Sequence, residues 1–365
     1  MDNISEDEKV LKQYYSRYGG FWIYPELLDY CYLVNPYFNR SKIIDEMEAN
    51  FRTLVSEYPA GMNVNSKLAS DCWNINQEYI IPGNGAAELI KALMENLEGK
   101  VGVIRPTFEE YPNRISDEQV ITFVPQNSEF RYDADDLIEF FGNNHVDTLL
   151  LINPDNPSGN FISMNGIKKL AEWTKVQKIK FILDESFVDF SVGYKNNSWL
   201  HNELLETYPQ MCVMKSISKS YGVPGLRLGI LCSANTELIA KMKKMVSIWN
   251  INSFAEFFMQ IYPKYKDDYH IACDQFIQAR EDFEKELKQI PFIHVMPSQA
   301  NYFFLEVLPP YKPKDLCTIL LKNYNILASA CLAKKGLDKD KYMRISVRNH
   351  GDNERFIKAL KDLIK

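Results

Sequence analysis

The stretch Ser216–Gly229, SISKSYGVPGLRLG, places one lysine among hydroxyl side chains, glycines and an arginine. An apolar run, Met211–Met214, precedes the stretch, and a second run, Leu226–Leu231, begins inside it. The pattern predicts a tight turn between two buried strands. The amine of Lys219 would then be held away from bulk water, where a lysine can lose its proton and form a Schiff base with an aldehyde.

Groups suited to phosphate binding surround that lysine. The hydroxyls of Ser216 and Ser218 and the guanidinium of Arg227 are the donors and the bidentate cation that a dianionic phosphate needs. Gly222 and Gly225 allow the backbone to come close to a ligand. Taken alone, the stretch also fits a basic surface turn near a sheet edge, so both interpretations stay open at this point.

The composition narrows the class of protein. A chain of 365 residues is suited to one large domain and a smaller one, and 46% hydrophobic and 25% charged residues are typical of globular proteins. A net charge of -6 without a basic block argues against nucleic acid as a partner. The polar, acidic start and the lack of a long apolar run predict a cytoplasmic protein without a membrane partner. Seven scattered cysteines indicate reduced core residues, and five dispersed histidines argue against a metal site.

A glycine-containing motif, Gly83–Ile90 (GNGAAELI), follows a short strand-like run and begins a helix. Free backbone amides at Gly85, Ala86 and Ala87 would then lie at a helix N-terminus, which is an anion-binding position. The glycines alone would fit an ordinary strand-to-helix turn equally well.

Two further motifs, Asn153–Gly159 (NPDNPSG) and Asp184–Phe190 (DESFVDF), each follow a run that predicts a buried strand. Residues just beyond the carboxyl ends of such strands form the binding crevice of an open α/β sheet. By themselves, an Asn-Pro repeat is usually a turn and an aspartate at a strand end is usually a cap.

Together the four motifs resemble those of the fold-type I pyridoxal-phosphate (PLP) enzymes, the aspartate aminotransferase superfamily. The resemblance is strongest to the branch of histidinol-phosphate aminotransferases and threonine-phosphate decarboxylases, and it covers nearly the whole chain in family order. It implies an α/β fold with a large PLP-binding domain, residues 41–262, built on a mainly parallel, seven-stranded sheet. It also implies an N-terminal arm, residues 1–40, and a small C-terminal α/β domain, residues 263–365.

The resemblance also implies site residues. Lys219 is the lysine that bonds the cofactor aldehyde, and Asp184 keeps the pyridine nitrogen protonated, so both are expected to be catalytic. Phe108 would stack on the pyridine ring, and Asn156 would donate a hydrogen bond to the ring oxygen. The residues expected to bind PLP are Tyr58 (from the partner subunit), Gly85, Ala86, Ala87, Phe108, Asn156, Asp184, Phe187, Ser216, Ser218, Lys219 and Arg227.

The expected substrate-binding residues come from the two ends of the chain. Arg344 matches the arginine that clamps the substrate carboxylate in this family. Arg348 shares its strand face by the period of two and would bind a substrate phosphate or form a salt bridge. Gly20 lies in a tyrosine-rich arm, expected to be irregular, where threonine-phosphate decarboxylases often carry a histidine-glycine-glycine motif; a packing arm without ligand contact is the alternative.

Phe187 departs from the aminotransferase pattern, which usually has a tyrosine that donates a second hydrogen bond to the ring oxygen. The first hypothesis is a PLP-dependent aminotransferase acting on an amino acid or amine with a phosphate or phosphonate group. A decarboxylase of a phosphorylated amino acid is the alternative, because those relatives share the phenylalanine; a non-catalytic PLP-binding protein is a third reading. A helix over residues 41–57 would end at Tyr58-Pro59, and the family's use of this tyrosine implies a homodimer with shared active sites.

Overall fold

The secondary structure comes from a computed structural model that describes residues 6–38, 42–331, 334–338 and 340–364. The strands, in chain order, are β1 (Leu28–Asp29), β2 (Ile80–Asn84), β3 (Val101–Ile104), β4 (Val120–Phe123), β5 (Thr148–Ile152), β6 (Lys180–Asp184), β7 (Met211–Ser216), β8 (Leu228–Cys232), β9 (Ile293–Val295), β10 (Tyr302–Val307), β11 (Ile326–Leu327) and β12 (Tyr342–Ser346). The helices are α1 (Glu6–Ser16), α2 (Lys42–Ala49), α3 (Phe51–Ser56), α4 (Met62–Trp73), α5 (Gly85–Met94), α6 (Ala134–Asn143), α7 (Met164–Gln177), α8 (Asn202–Thr207), α9 (Ile217–Ser220), α10 (Thr236–Met245), α11 (Ser253–Ile261), α12 (Lys266–Leu287), α13 (Pro313–Tyr324) and α14 (His350–Lys361).

A mainly parallel sheet of seven strands forms the centre of the fold, in the order β2-β8-β7-β6-β5-β3-β4. From β4 to β7 all neighbouring strands are parallel, whereas β8 runs against both β7 and β2. The apolar run of β5 is buried along its whole length, as expected for a strand covered on both faces. The predicted sheet is therefore confirmed.

Alternate residues of β5 point into two separate hydrophobic clusters. Leu149 and Leu151 pack in a cluster with residues of α4, α7 and α11. Leu150 and Ile152 pack in a second cluster with residues of α5 and α10. Since successive side chains of a strand face opposite sides, helices cover both faces of the sheet and leave its strand ends free for a site.

A second, three-stranded antiparallel sheet has the order β12-β10-β9 and shares one hydrophobic cluster with α12, α13 and α14. The N-terminal arm joins this unit, because β1 pairs in parallel with β11. The expectation of an irregular arm was wrong, since residues 6–16 form α1 and bury Leu11 in the same cluster. Burial of Leu11 stabilises a helix here although most residues of the segment are polar. The domain boundary at residues 262/263 stays a prediction.

The predicted helix over 41–57 is two helices, α2 and α3, with a break at Asn50. The side-chain amide of Asn50 donates to the carbonyl of Glu46, 2.9 Å away. Asparagine competes for backbone groups in this way, which explains the interruption. Residue 41, the expected start, lies outside the described residues. Among the described helices, none combines the length and apolar character that crossing a lipid bilayer requires.

Candidate active site

The loops that carry the sequence motifs meet at one edge of the main sheet. Strands β5, β6 and β7 are parallel neighbours, so their carboxyl ends, at Ile152, Asp184 and Ser216, lie side by side. The amide of Asn153 donates to the carbonyl of Asp184 at 2.8 Å, which links the first two loops. Because β2 has the same direction, α5 begins with Gly85 at this edge as well.

Lys219 lies on the single turn of α9, directly after β7. Burial, together with the positive charges of Arg344 and Arg227, lowers the pKa of its amine from 10.5 to about 8, although the carboxylate of Asp184 acts in the opposite direction. The backbone carbonyl of Lys219 accepts a hydrogen bond from the amide of Asn35 at 2.9 Å. The structure thus gives this lysine the partly buried position that an amine nucleophile near neutral pH requires.

A second lysine, Lys215, lies four residues earlier, on β7, and has the opposite environment. Its ammonium lies 2.9 Å from Asp189 Oδ1 and 3.6 Å from Glu185 Oε1, and these two carboxylates raise its pKa against the effect of burial. Asp189 also accepts a hydrogen bond from Ser220 Oγ at 2.7 Å, at the end of α9. This buried charge cluster fastens the turn that carries Lys219 to the loop after β6.

The N-terminus of α5 lies beside the segment that carries Arg227. Gly85 has a left-handed φ of 69° and its amide donates to the carbonyl of Arg227 at 2.7 Å. A Cβ at Gly85 would collide with the guanidinium of Arg227 in its present position, and the left-handed φ would strain any residue other than glycine. The Oγ atom of Ser218 is buried without a hydrogen-bond partner in the described chain. The first-turn amides of Ala86 and Ala87 have no acceptor within the helix, so these amides, the guanidinium of Arg227 and the hydroxyl of Ser218 are the candidate groups for an anion cradle.

Asp184 is 4% exposed at the end of β6. Its Oδ2 accepts a hydrogen bond from the hydroxyl of Tyr111 at 2.7 Å, and its Oδ1 accepts one from the amide of Ser186 at 2.8 Å. Burial raises the pKa of this carboxyl, whereas these hydrogen bonds and Lys219 lower it. The sequence interpretation missed Tyr111, although it stands three residues after Phe108, because the path of that loop is not readable from a motif.

Asn156 and Arg344 come together from distant parts of the chain. The guanidinium of Arg344 donates from Nη1 to Asn156 Oδ1 at 2.9 Å and from Nη2 to the carbonyl of Cys31 at 3.4 Å. Its Nε is buried without a partner among the described residues. The positively charged guanidinium of Arg344 therefore contacts the loop after β5 and keeps one donor, Nε, unused.

Two aromatic rings in this region differ in exposure. Phe108 is 41% exposed, with its ring edge-on to Tyr111, so a face is free for stacking. Phe187 is buried, with its ring edge-on to Tyr302 at a centroid distance of 5.2 Å. The hydroxyl of Tyr302 donates to the carbonyl of Asp155 at 2.6 Å, which fixes the loop that carries Asn156.

Ser216 is also buried at this edge, and its amide donates to Ser186 Oγ at 2.9 Å. Three predicted site residues make their contacts elsewhere in the described chain. Arg348 is engaged elsewhere: its Nε pairs with Asp352 at 2.9 Å, which matches the salt-bridge alternative. Gly20 takes part in a turn of the arm, where its carbonyl accepts from Arg17.

Tyr58, the third of these residues, is 80% exposed and its ring lies 4.7 Å, centroid to centroid, from that of Trp249. An exposed aromatic pair of this kind is a surface that another subunit can cover. Within the described chain, no group of histidine, cysteine and acidic side chains is arranged to hold a metal ion.

Comparison with known proteins assigns the class of protein. The family model "Aminotransferase class I and II" matches residues 59–360, and the chain belongs to this family. Matching relatives include proteins named histidinol-phosphate aminotransferase and threonine-phosphate decarboxylase, so the predicted branch is confirmed.

Three relatives illustrate how similar other proteins are to this chain and how much of each the chain covers. It is 29% identical over 365 residues to a protein of Streptomyces rubellomurinus named CMP-5'-(3-aminopropyl)phosphonate synthase, covering 98% of this chain and 56% of that protein. It is 28% identical to a protein of Campylobacter jejuni named L-serine phosphate decarboxylase, covering 93% of this chain and 90% of the relative. A solved decarboxylase from Sulfurospirillum multivorans superposes with a TM-score of 0.87 at 26% identity, covering 98% and 97% of the two chains. The chain thus spans about half the length of the first of these relatives.

The cofactor of this family fits the residues present. Pyridoxal 5'-phosphate needs an amine for its aldehyde, an anion cradle for its phosphate and a carboxylate for its ring nitrogen. Lys219 has a lowered pKa, the buried Ser218 hydroxyl has no hydrogen-bond partner in the described chain, and Asp184 is buried at the adjacent strand end. The cofactor is therefore PLP, as predicted.

Proposed function

We propose that the protein is a PLP-dependent decarboxylase of an amino acid that carries a phosphate or phosphonate group. The observation that carries the proposal is Phe187, whose buried ring has no group that can donate a hydrogen bond to the ring oxygen of the cofactor. Relatives named L-serine phosphate decarboxylase and threonine-phosphate decarboxylase support the same reaction class.

The residues of the site have separate tasks in this reaction. When bound, PLP supplies a ring that withdraws electrons from the substrate Cα. Asp184 holds the proton on the pyridine nitrogen, and the hydrogen bond from Tyr111 orients this carboxylate. The bond from Cα to the carboxylate carbon breaks, carbon dioxide leaves without the bonding electron pair, and the ammonium of Lys219 donates a proton to Cα. A pKa of about 8 suits Lys219 to this transfer near neutral pH.

Transamination of a phosphorylated amino acid or amine is the second candidate, and the position of Arg344 favours it. Its Nη1 lies 2.9 Å from Asn156 Oδ1, beside the place expected for the ring oxygen. A substrate carboxylate bound there would lie near the plane of the ring, so its bond to Cα would not be the one that breaks. Lys219 would then move a proton away from Cα instead of delivering one.

The test incubates the cofactor-loaded protein with O-phospho-L-serine and O-phospho-L-threonine without a keto-acid acceptor. Decarboxylation predicts release of carbon dioxide and of the phosphorylated amine. Formation of a keto product only when an acceptor is added would contradict it and support transamination. The Lys219→Met variant is the control, since it keeps the side-chain length but has no amine to move the proton.

The quaternary arrangement is part of the proposal. Tyr58 is proposed to reach the cofactor phosphate of a partner subunit in a homodimer. The support is its exposed pair with Trp249, since an isolated aromatic pair on the surface gains stability when another subunit covers it.

A further inference from the structure

Four cationic side chains lie around the site. They are Lys219, Arg227, Arg344 and Lys334. The charges of Arg227 and Arg344 act on Lys219, and the charge of Arg344 acts on Lys334. In the part of the chain that the structure describes, none of the four pairs with a carboxylate within 4.0 Å. Arg344 donates to an amide oxygen and a carbonyl, and Arg227 and Lys334 each donate to a carbonyl. Unpaired, partly buried cations of this kind need anions from a ligand.

Lys334 was not among the predicted site residues, and a loop of residues 334–338 brings it to the main sheet. Its ammonium donates to the carbonyl of Thr107 at 2.5 Å, directly before Phe108. The same loop packs Gly336, which has a φ of 85°, against Arg105, and pairs Lys335 with Asp117 at 2.9 Å. The loop thus connects the end of β3 with the unit that carries Arg344.

The surroundings of Lys334 are those of a ligand-binding cation. Burial and the charge of Arg344 lower its pKa, while Asp155 and Glu109 act in the opposite direction from a distance. Glu109 is already paired with Arg105 at 3.2 Å, and the carboxylate of Asp155 accepts hydrogen bonds from Ser158. Neither carboxylate forms an ion pair with Lys334 within 4.0 Å among the described residues.

The cofactor accounts for two of the four cations. Arg227 belongs to the phosphate cradle, and Lys219 reacts with the aldehyde. Arg344 and Lys334 remain for the substrate. A phosphorylated amino acid brings one carboxylate and a phosphate of nearly two negative charges, and a lysine with three rotatable donors suits the phosphate.

We propose that Lys334 is a specificity-determining residue that binds the phosphate or phosphonate group of the substrate next to Arg344. This inference rests on the proposed substrate class. It assigns the selection of the phosphorylated substrate to a side chain on a loop between the two sheets, outside the four cofactor motifs.

The experiment compares O-phosphoethanolamine with ethanolamine on the cofactor-loaded protein. Both amines lack a carboxylate, so they isolate the contribution of the phosphate group. Dissociation constants are read from the change in the visible absorbance of the bound cofactor, for wild type and the variants Lys334→Met, Lys334→Arg and Lys335→Met. Lys335 is the matched control, because it is exposed and pairs with Asp117.

Wild type is expected to prefer the phosphorylated amine. Lys334→Met should weaken O-phosphoethanolamine binding by about tenfold or more, the effect of one lost charge-assisted hydrogen bond, and change ethanolamine binding by less than about twofold. Lys334→Arg should restore much of the loss, and Lys335→Met should behave as wild type. Unfolding curves of each variant show whether the loop's contact with Thr107 is merely structural.

Two results overturn the inference, and they are distinguishable. A wild type that prefers O-phosphoethanolamine, with a Lys334→Met variant that keeps the preference or loses affinity for both amines equally, refutes the role of Lys334 alone. A wild type without any preference for the phosphorylated amine refutes both the inference and the proposed substrate class.

Discussion

Methionine substitutions at Lys215, which is buried, and at Lys219, which is partly buried, should change stability in opposite directions. Lys219 is held near two arginines, and its pKa of about 8 compared with the ordinary 10.5 means that the folded state disfavours its charged form. A difference of about 2.5 corresponds to about 3 kcal/mol, at about 1.4 kcal/mol for each tenfold change. Because Lys219 is only partly buried and water at the site screens part of this effect, we expect Lys219→Met to stabilise the cofactor-free protein by about 1–3 kcal/mol at pH 7.

The control variant is Lys215→Met. Removing this ammonium leaves Asp189 and Glu185 buried together without their counter-ion. The loss of one partner from a buried ion pair costs about 3–5 kcal/mol, so this variant should be less stable than wild type by that order. Both variants replace one lysine with methionine, so a general effect of methionine would shift their stability in the same direction.

The assay is urea unfolding of the cofactor-free proteins at several pH values. Between pH 8 and 10.5 the unfolded chain still binds a proton at position 219, whereas the folded chain does not. Wild-type stability therefore rises through this window relative to Lys219→Met, and the advantage of the variant fades. A Lys219→Met variant that is less stable than wild type at pH 7, or an advantage that does not change with pH, would refute the reasoning.

Three further predictions concern the cofactor, each measured as PLP affinity by titration of its visible absorbance. Ser218→Ala should weaken PLP binding by about threefold to tenfold, since it removes one neutral donor to the phosphate; unchanged affinity would mean that the orphaned hydroxyl faces no ligand. Tyr111→Phe should leave the fold intact and weaken binding by a similar factor, about threefold to tenfold, because Asp184 loses the hydrogen bond that orients it; affinity equal to wild type would show that Ser186 suffices. Tyr58→Phe should weaken binding in a homodimer, and an effect that persists when the protein is a monomer would contradict a contact from the partner subunit.

The sequence patterns predicted correctly which motif residues lie at the ends of the strands. Parallel strands β5, β6 and β7 finish at one edge, so motifs that follow buried apolar runs had to meet there. For this reason the structure brings Asp184, Asn156 and Lys219 to one region, and Gly85 meets Arg227 across β2 and β8. The catalytic and binding roles of these residues stay predictions until they are tested.

Contacts made by loops and by the arm were beyond the reach of the sequence patterns. Lys334 reaches Thr107 across more than two hundred residues, and Tyr111 turns back to Asp184, because of loop paths that no local periodicity encodes. The first helix and β1 were missed for a similar reason: they are stabilised by contacts with α13 and β11, near the opposite end of the chain. The spacing of Arg348 from Arg344 would place both on one strand face, but the guanidinium of Arg348 forms an ion pair with Asp352, four residues further along the chain.

The central claim is that one amine of this chain bonds the cofactor. Borohydride reduction of the PLP-loaded protein, followed by proteolysis and mass spectrometry of the peptides, tests it directly. The account predicts the pyridoxyl group on the peptide that contains Lys219 and its loss in the Lys219→Met variant. A pyridoxyl group on another lysine, such as Lys215 or Lys334, or on none, would contradict the account.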